Sequence, residues 1–231
     1  MAVIIQPMKI SKRAMTTSAA LAGAATLSVS VITPAASADE GNTTVVLTSY
    51  GAFARGHNTS GEVAQKAKEV LEQEGITVIY QEIATDWSTF ASDLDSLVEA
   101  NDPDAVISLG EYAKLSAPAV ELVGYNKRYG VDANGNKGEG EVLEGGPSYR
   151  HAPAENRAAQ QAVRRAGYNI NLSDNAGRYL CNAALYTNLG FLEEGRVEHA
   201  GFVHVPARAQ GAAQNDKDGE AVAAFVKNLV S

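Results

Sequence analysis

The sequence lacks the features that mark several common classes of protein. Cys181 is the only cysteine, so no disulfide can form within the chain. Acidic residues outnumber basic ones, the formal net charge is −8 at pH 7, and no basic cluster is present. The sequence also shows no metal-ligand spacing and no glycine-rich loop of the phosphate-binding kind. It therefore argues against nucleic acid, an anionic membrane surface, a nucleotide or a metal as the partner.

After the N-terminal segment there is no apolar run long enough to cross a membrane. Residues 1–38 predict a signal peptide, with a basic start, a weakly apolar stretch over 14–32 and an A-x-A cleavage site ending at Ala38. The alanine, serine and threonine content of that stretch fits a signal peptide better than a retained anchor. We therefore expect an exported protein, extracellular or periplasmic, with no membrane attachment after cleavage and a single domain over residues 39–231.

Strand and helix patterns alternate in the first half of that domain. Apolar runs at 44–49, 76–80 and 104–110 are typical of buried strands, and amphipathic helical patterns lie between them, at 60–73 and from 86 onward. This order predicts a mainly parallel sheet with helices on both faces.

The second half continues the alternation after a break. Helices are predicted over 153–166 and 216–230, and strands over 168–173 and 201–205. The glycine-rich stretch 127–146 has no periodicity and predicts a long mobile loop. We expect a single α/β domain, a three-layer α/β/α sandwich with a mixed, mainly parallel sheet.

Cys181 lies where a predicted strand turns into a predicted helix. The turn residues Asn175-Ala176-Gly177 precede it, and the helical pattern begins at Leu180, so Cys181 falls in the first helical turn. The free amides and positive dipole of a helix N-terminus favour a thiolate and can hold a developing oxyanion. A lone cysteine is nevertheless more often an inert buried residue. The catalytic interpretation therefore depends on a partner.

His204 is the candidate partner. It lies near the C-terminal end of an apolar strand, where open α/β sheets place their sites. A histidine in such a strand is by itself more often structural. Brought next to a cysteine, it forms the pair of general base and nucleophile that covalent catalysis needs.

Two segments, 175–182 and 201–206, resemble the pyroglutamyl-peptidase I family, cysteine peptidases that remove an N-terminal pyroglutamyl residue. The spacing from Cys181 to His204 is also similar to that in the family. The resemblance covers roughly residues 44–206 and identifies the chain as a divergent member, which the predicted signal peptide makes an exported one. It implies a phosphorylase/hydrolase-like fold, peptides with N-terminal pyroglutamate as substrates and no cofactor. It leaves a homo-oligomer open, since family members are often multimeric.

The resemblance also implies a third catalytic residue and a substrate pocket. Gly110, Glu121 and Asn126 align with the family pattern without a gap, which makes Glu121 the carboxylate that orients His204. A solvated surface acid is the alternative, and the apolar neighbours of Glu121 count against it. The implied pocket residues lie in the first loop, after Gly110 and just before the cysteine: Tyr50, Phe53, Glu111, Tyr179 and Leu180.

Several positions depart from the family pattern. The family's Gly-Arg dipeptide is replaced by Lys114-Leu115, its arginine after the glutamate is Leu122, and Glu111 stands where glutamine is common. Tyr50 replaces a phenylalanine. These changes keep two alternatives open, a catalytically impaired binding protein of the same fold and a related amidase with changed acyl specificity. A nucleoside phosphorylase is a more distant alternative, because a phosphate-binding cluster is missing.

Overall fold

The computed structural model describes residues 42–53 and 55–231. The predicted signal peptide and its cleavage site at Ala38 lie outside these residues, and that prediction stays a prediction. In the part of the chain that is described, no helix combines the length and the hydropathy needed to cross a bilayer.

The described chain forms short strands and helices in alternation. In order they are β1 (Thr44–Tyr50), α1 (Thr59–Gln73), β2 (Thr77–Ile83), α2 (Phe90–Asn101), β3 (Ala105–Tyr112), β4 (Ala119–Glu121), β5 (Val123–Tyr125), β6 (Gly130–Val131), β7 (Lys137–Gly138), β8 (Tyr149–His151), α3 (Ala154–Arg165), β9 (Asn171–Ser173), α4 (Leu180–Glu193), β10 (His199–Pro206) and α5 (Ala213–Val230).

A six-stranded sheet in the order β2-β1-β3-β10-β4-β9 runs through the domain. The pairings are parallel except that of β4 with β10, which is antiparallel. Two register positions matter for function, because His204 on β10 lies beside Gly110 on β3 and beside Ala119 on β4. The short antiparallel strand β4 therefore brings Glu121 towards the middle of a parallel sheet.

Helices cover both faces of the sheet and bury two apolar cores. Helices α1, α3 and α5 pack on one face, where residues such as Leu71, Val163 and Phe225 are fully or almost fully buried. Helices α2 and α4 pack on the other face around Leu94 and Leu185. The predicted three-layer α/β/α architecture is therefore confirmed. Burial of apolar surface on both faces is the main force that holds the central strands in place.

The structure corrects three predicted boundaries. The strand predicted over 168–173 is shorter, because the Ile170 carbonyl accepts hydrogen bonds from Gln160 and Arg164 of α3 instead of joining the sheet. Helix α2 begins at Phe90, since Asp86 folds its own turn by accepting from the Ser88 amide. Pro153 precedes α3 and does not form its first residue.

The stretch 127–146 is not the featureless loop predicted from its composition. It contains the hairpin β6–β7, whose turn is closed by the Asp132 carboxylate accepting hydrogen bonds from the Asn134 and Asn136 amides. The same carboxylate accepts from the Trp87 amide, and the Trp87 indole donates to the Gly130 carbonyl. These bonds tie the hairpin to the entry of α2. Burial raises the pKa of the Asp132 carboxyl, but the hydrogen bonds that it accepts from Trp87, Asn136 and Asn134 outweigh this effect and lower the pKa.

Candidate active site

The carboxyl ends of three parallel strands and the N-terminus of α4 meet at one edge of the sheet. Tyr50 ends β1, Glu111 lies near the end of β3, and His204 lies near the end of β10. Cys181 is the second residue of α4. This is the edge at which open α/β sheets bind their ligands, because the connecting loops leave a crevice there.

The N-terminus of α4 provides free hydrogen-bond donors next to the cysteine. Tyr179, the residue before the helix, has an extended backbone and makes no side-chain hydrogen bond to the first turn. The amides of that turn therefore remain for another acceptor, and the dipole of the helix favours a negative one. Cys181 is half-buried at this position, so its sulfur is partly shielded from water.

His204 and Glu121 form a buried pair. The Nδ1 atom of His204 donates to Oε1 of Glu121 at 2.7 Å, and both side chains are at most 5% exposed. The other carboxylate oxygen of Glu121 has no partner among the described residues. Because Nδ1 is engaged, Nε2 is the nitrogen left for proton transfer at the site.

The surroundings of His204 change its acid strength. Burial by itself lowers the pKa of His204, because the charged ring loses water. The charge of Cys181 and a hydrogen bond to it act in the opposite direction, and so do the hydrogen bond and charge of Glu121; together they raise the pKa of His204 to about 9. The raised pKa of His204 favours the charged, protonated ring over the neutral one near neutral pH.

Gly110 brings the backbone of β3 against the cysteine. A Cβ atom built at Gly110 would lie 2.7 Å from the Cys181 sulfur and 2.8 Å from Cζ of Phe202. Phe202 is fully buried in the core and has no room to move. A side chain at position 110 would therefore displace the sulfur.

We expect Gly110→Ala to lower kcat on the order of 100-fold, because a displacement of about 1 Å at a reacting atom has that effect. Steady-state kinetics on the substrate proposed below measures it. Gly56→Ala is the matched control, since a Cβ at Gly56 meets nothing within 4 Å. Equal rates for the two variants would contradict the close packing of Gly110 on the reacting sulfur.

A cavity of about 260 Å³ opens beside Cys181. Each of the five residues predicted to bind substrate lines it, and so do several residues that the sequence did not single out. Its walls are mainly apolar, with polar groups along one side. The predicted residues are Tyr50, Phe53, Glu111, Tyr179 and Leu180; the additional ones include Arg55, His57, Asn58, Thr85 and Ala113.

The aromatic walls of this cavity are held in place by defined contacts. The Tyr50 hydroxyl donates to the Leu180 carbonyl at 3.1 Å, which ties the end of β1 to the start of α4. Phe53 is 46% exposed and stacks on Tyr179, with ring centroids 5.9 Å apart. Tyr179 also packs edge-on against Trp87, and its hydroxyl donates to the Val131 carbonyl. Phe53 therefore contributes to the mouth of the cavity and does not simply anchor its loop to the core.

Comparison with known proteins identifies the family. The sequence model of the pyroglutamyl peptidase family matches residues 43–229. The chain belongs to the pyroglutamyl peptidase family. The pyrrolidone-carboxylate peptidase of Thermococcus kodakarensis is 33% identical over 162 residues, which cover 68% of this chain and 79% of the relative. That of Mycobacterium tuberculosis is 31% identical over 172 residues, or 70% and 76% of the two chains.

Solved structures of this family share the fold. Pyroglutamyl peptidase I from Bacillus amyloliquefaciens superposes with a TM-score of 0.72 at 18% identity, over 82% of this chain and 95% of that chain. A mutant of the pyrrolidone carboxyl peptidase from Pyrococcus furiosus gives a TM-score of 0.71 at 20% identity, over 80% and 97%. Membership of the pyroglutamyl peptidase family makes the chain a hydrolase of the cysteine peptidase class.

Within this pyroglutamyl peptidase, Arg55 is the main site residue that the sequence did not indicate. Its guanidinium donates to the Glu111 carboxylate, which also accepts from the Thr59 amide at 2.9 Å. Arg55 lies in the loop after β1 and Glu111 near the end of β3, so no local pattern in the sequence links the two residues. Lys114, the cation nearest to the family's missing arginine in sequence, is exposed and is not among the residues that line the cavity.

His57 is a second residue of this cavity that the sequence did not single out. The structure shows it half-buried at the cavity wall, with Nε2 2.8 Å from the Arg208 carbonyl, to which it donates. The contact joins the loop after β1 to the segment after β10, a pairing that no local pattern reveals.

Among the described residues, no group of three or more histidine, cysteine, aspartate or glutamate side chains is placed to hold a metal ion.

Proposed function

We propose that this chain removes N-terminal pyroglutamate from peptides, with Cys181 as nucleophile, His204 as proton carrier and Glu121 as the residue that orients His204. The observation that carries the proposal is the arrangement around the sulfur. A buried His204–Glu121 pair and a small apolar cavity adjoin one cysteine at a helix N-terminus. Nucleophile, base, orienting group and oxyanion donors are the parts that acyl transfer requires.

The reaction proceeds in two balanced steps. The Cys181 thiolate attacks the pyroglutamyl carbonyl carbon, and the amides at the start of α4 hold the oxyanion. As the amide C–N bond breaks, the His204 imidazolium gives its proton to the departing nitrogen. A thioester and a shortened peptide result. Water then attacks the thioester and His204 takes one of its protons. The C–S bond breaks to release the Cys181 thiolate, and the pyroglutamic acid formed loses its remaining proton to the solvent.

The cavity fits the acyl group of such a substrate. A volume of about 260 Å³ suits a small ring better than an extended peptide chain. Phe53, Tyr179 and Leu180 provide apolar walls that exclude water from the reacting carbonyl. We propose that Tyr50 stiffens this pocket through its bond to Leu180, and that Glu111, held by Arg55, faces its polar side.

Release of a fluorophore from a pyroglutamyl amide by the mature protein under reducing conditions tests the function. We expect hydrolysis of this substrate and none of the matching prolyl or alanyl amides, which lack the lactam ring carbonyl. Binding of pyroglutamate without hydrolysis would instead support the alternative of a catalytically impaired binding protein, which the loss of the family arginines suggests. Preferred cleavage of another lactam or acyl amide would indicate the related amidase.

We also propose that the chain is exported and cleaved after Ala38, on the strength of the basic start, apolar stretch and A-x-A site of residues 1–38. Expression of the full chain should give an extracellular or periplasmic protein whose N-terminus is Asp39. Mass spectrometry of the intact secreted protein measures this. Retention of an uncleaved chain in the cytosol would contradict the proposal.

A further inference from the structure

A second cavity, of about 240 Å³, also adjoins the cysteine. It shares Cys181, Tyr179 and Glu111 with the first cavity but differs from it in including His204, which the first does not. The remaining lining comes from the end of β3 and from the turn before α4, and consists of Tyr112, Asn175, Ala176 and Gly177. Cys181 therefore lines two adjoining cavities, of which only the second includes His204.

The position of His204 decides which part of a substrate each opening receives. If the proposed function holds, His204 must hand its proton to the nitrogen that leaves. The leaving nitrogen, and the residue that carries it, must then lie on the side that His204 lines. The first cavity therefore holds the pyroglutamyl ring, and the second faces the residue that follows it.

Tyr112 is the side chain in the second cavity that is free to recognise a substrate. It is 44% exposed, and its ring centroid is 5.5 Å from that of His204. Of the polar groups nearby, Glu111 accepts from Arg55, and the side-chain oxygen of Asn175 accepts from the Gly177 amide. Ala176 gives the cavity an apolar, buried wall. Recognition there falls to an aromatic face beside an apolar surface.

We propose that the second cavity binds the residue after pyroglutamate and that Tyr112 makes it selective for an aromatic side chain. An offset or edge-on ring pair would form between Tyr112 and that side chain. This inference rests on the proposed function and adds a specificity to it. It gives Tyr112 a role in choosing the peptide but none in breaking the bond.

The test compares kcat/KM for pyroglutamyl-phenylalanine amide and pyroglutamyl-alanine amide, by chromatography of the released amino acid amide. The wild type is expected to favour the phenylalanine substrate by about tenfold. Tyr112→Phe keeps the ring and should keep this ratio, whereas Tyr112→Ala should reduce it to about one. Any change in the basicity of His204 affects both substrates alike and cancels in the ratio.

Tyr168→Ala is the control, because it removes an exposed tyrosine between α3 and β9, outside both cavities, and should leave the ratio unchanged. Inhibition of the wild type by free phenylalanine amide, about tenfold stronger than by alanine amide, supports the same site without a variant. Equal cleavage of both substrates by the wild type, or an unaltered ratio in Tyr112→Ala, overturns the inference alone. A folded wild type that cleaves neither substrate overturns the proposed function, and this inference with it.

Discussion

Replacing Cys181 with alanine is expected to lower kcat on a pyroglutamyl amide by at least about 10⁴-fold. Without the sulfur no acyl-enzyme can form, and only the oxyanion donors and substrate binding remain to assist direct attack by water. Cys181→Ser should be almost as inactive, because a serine hydroxyl is a far weaker acid than a thiol. Single-turnover hydrolysis at matched enzyme concentration measures both variants.

The control for this experiment lies in the same helix. Thr187 is half-buried on α4, away from the two cavities that adjoin Cys181. Thr187→Ala is expected to keep the wild-type kcat, which separates loss of the nucleophile from a general disturbance of the helix. Thermal unfolding should show that the Cys181 variants remain folded. Undiminished hydrolysis by folded Cys181→Ala would exclude the covalent mechanism altogether.

Much of the fold could be predicted from local patterns, because burial on two faces imposes them. The strands that became β1, β2, β3 and β10 each contain a run of buried apolar residues, as parallel strands covered by helices do. The position of Cys181 followed in the same way, from a turn ahead of a helical pattern. The prediction of the strands and that of the position of Cys181 both depend on patterns among residues that are close together in the chain.

The environment of Glu121 could not be predicted from local patterns. Strand β4 is only three residues long, which is too short to show an alternating pattern of apolar and polar residues. Its antiparallel pairing with β10 is a contact between segments that are far apart in the chain. The family resemblance, and not the residue pattern, indicated Glu121. The bond from Arg55 to Glu111 and that from His57 to the Arg208 carbonyl are likewise long-range, and no resemblance indicated them.

The hairpin at 130–138 shows the same limit for a glycine-rich segment. Glycine and charge suggested mobility, yet the Asp132 carboxylate and the Trp87 indole supply the hydrogen bonds that the short strands cannot supply themselves. Gly138 is required there, since a Cβ at that position would lie 2.2 Å from the Trp87 ring. Some glycines in this stretch therefore serve close packing and not flexibility.

Replacing Glu121 with glutamine is expected to lower kcat on the order of 10³-fold while leaving the fold intact. Glutamine has nearly the same shape, but its amide can donate a hydrogen bond to Nδ1 of His204. The ring then carries its proton on Nε2, so Nε2 has no lone pair with which to accept a proton at the site. It also removes the charge that stabilises the imidazolium. Since Glu121 is 2% exposed, water cannot replace the lost charge.

The pH dependence should change in a defined direction. The pKa of His204 is raised to about 9, so the alkaline limb of the wild-type kcat/KM profile is expected near that pH, where the proposed proton donor is lost. The hydrogen bond and charge of Glu121 are two of the causes that raise it. In Glu121→Gln the alkaline limb of the kcat/KM profile should therefore move to lower pH.

The free energy of unfolding should also depend on pH, in the direction that the raised pKa of His204 sets. A histidine whose pKa is higher in the folded chain than in the unfolded one stabilises the fold below its ordinary pKa of 6.5, and this contribution is lost as the pH rises through about 9. Between these values, denaturant unfolding should show the wild type losing its advantage over Glu121→Gln. An advantage that grows with pH over this window would contradict the assignment.

Glu193→Gln is the matched control for the loss of a carboxylate. Glu193 binds Arg150 at 2.8 Å at the surface end of α4 and is about half exposed, so this change should alter neither kcat nor the alkaline limb. The comparison separates a charge that acts on His204 from one that merely forms an ion pair. A reduced kcat in Glu121→Gln with an unmoved alkaline limb would show that Glu121 sets the orientation of His204 and not its charge.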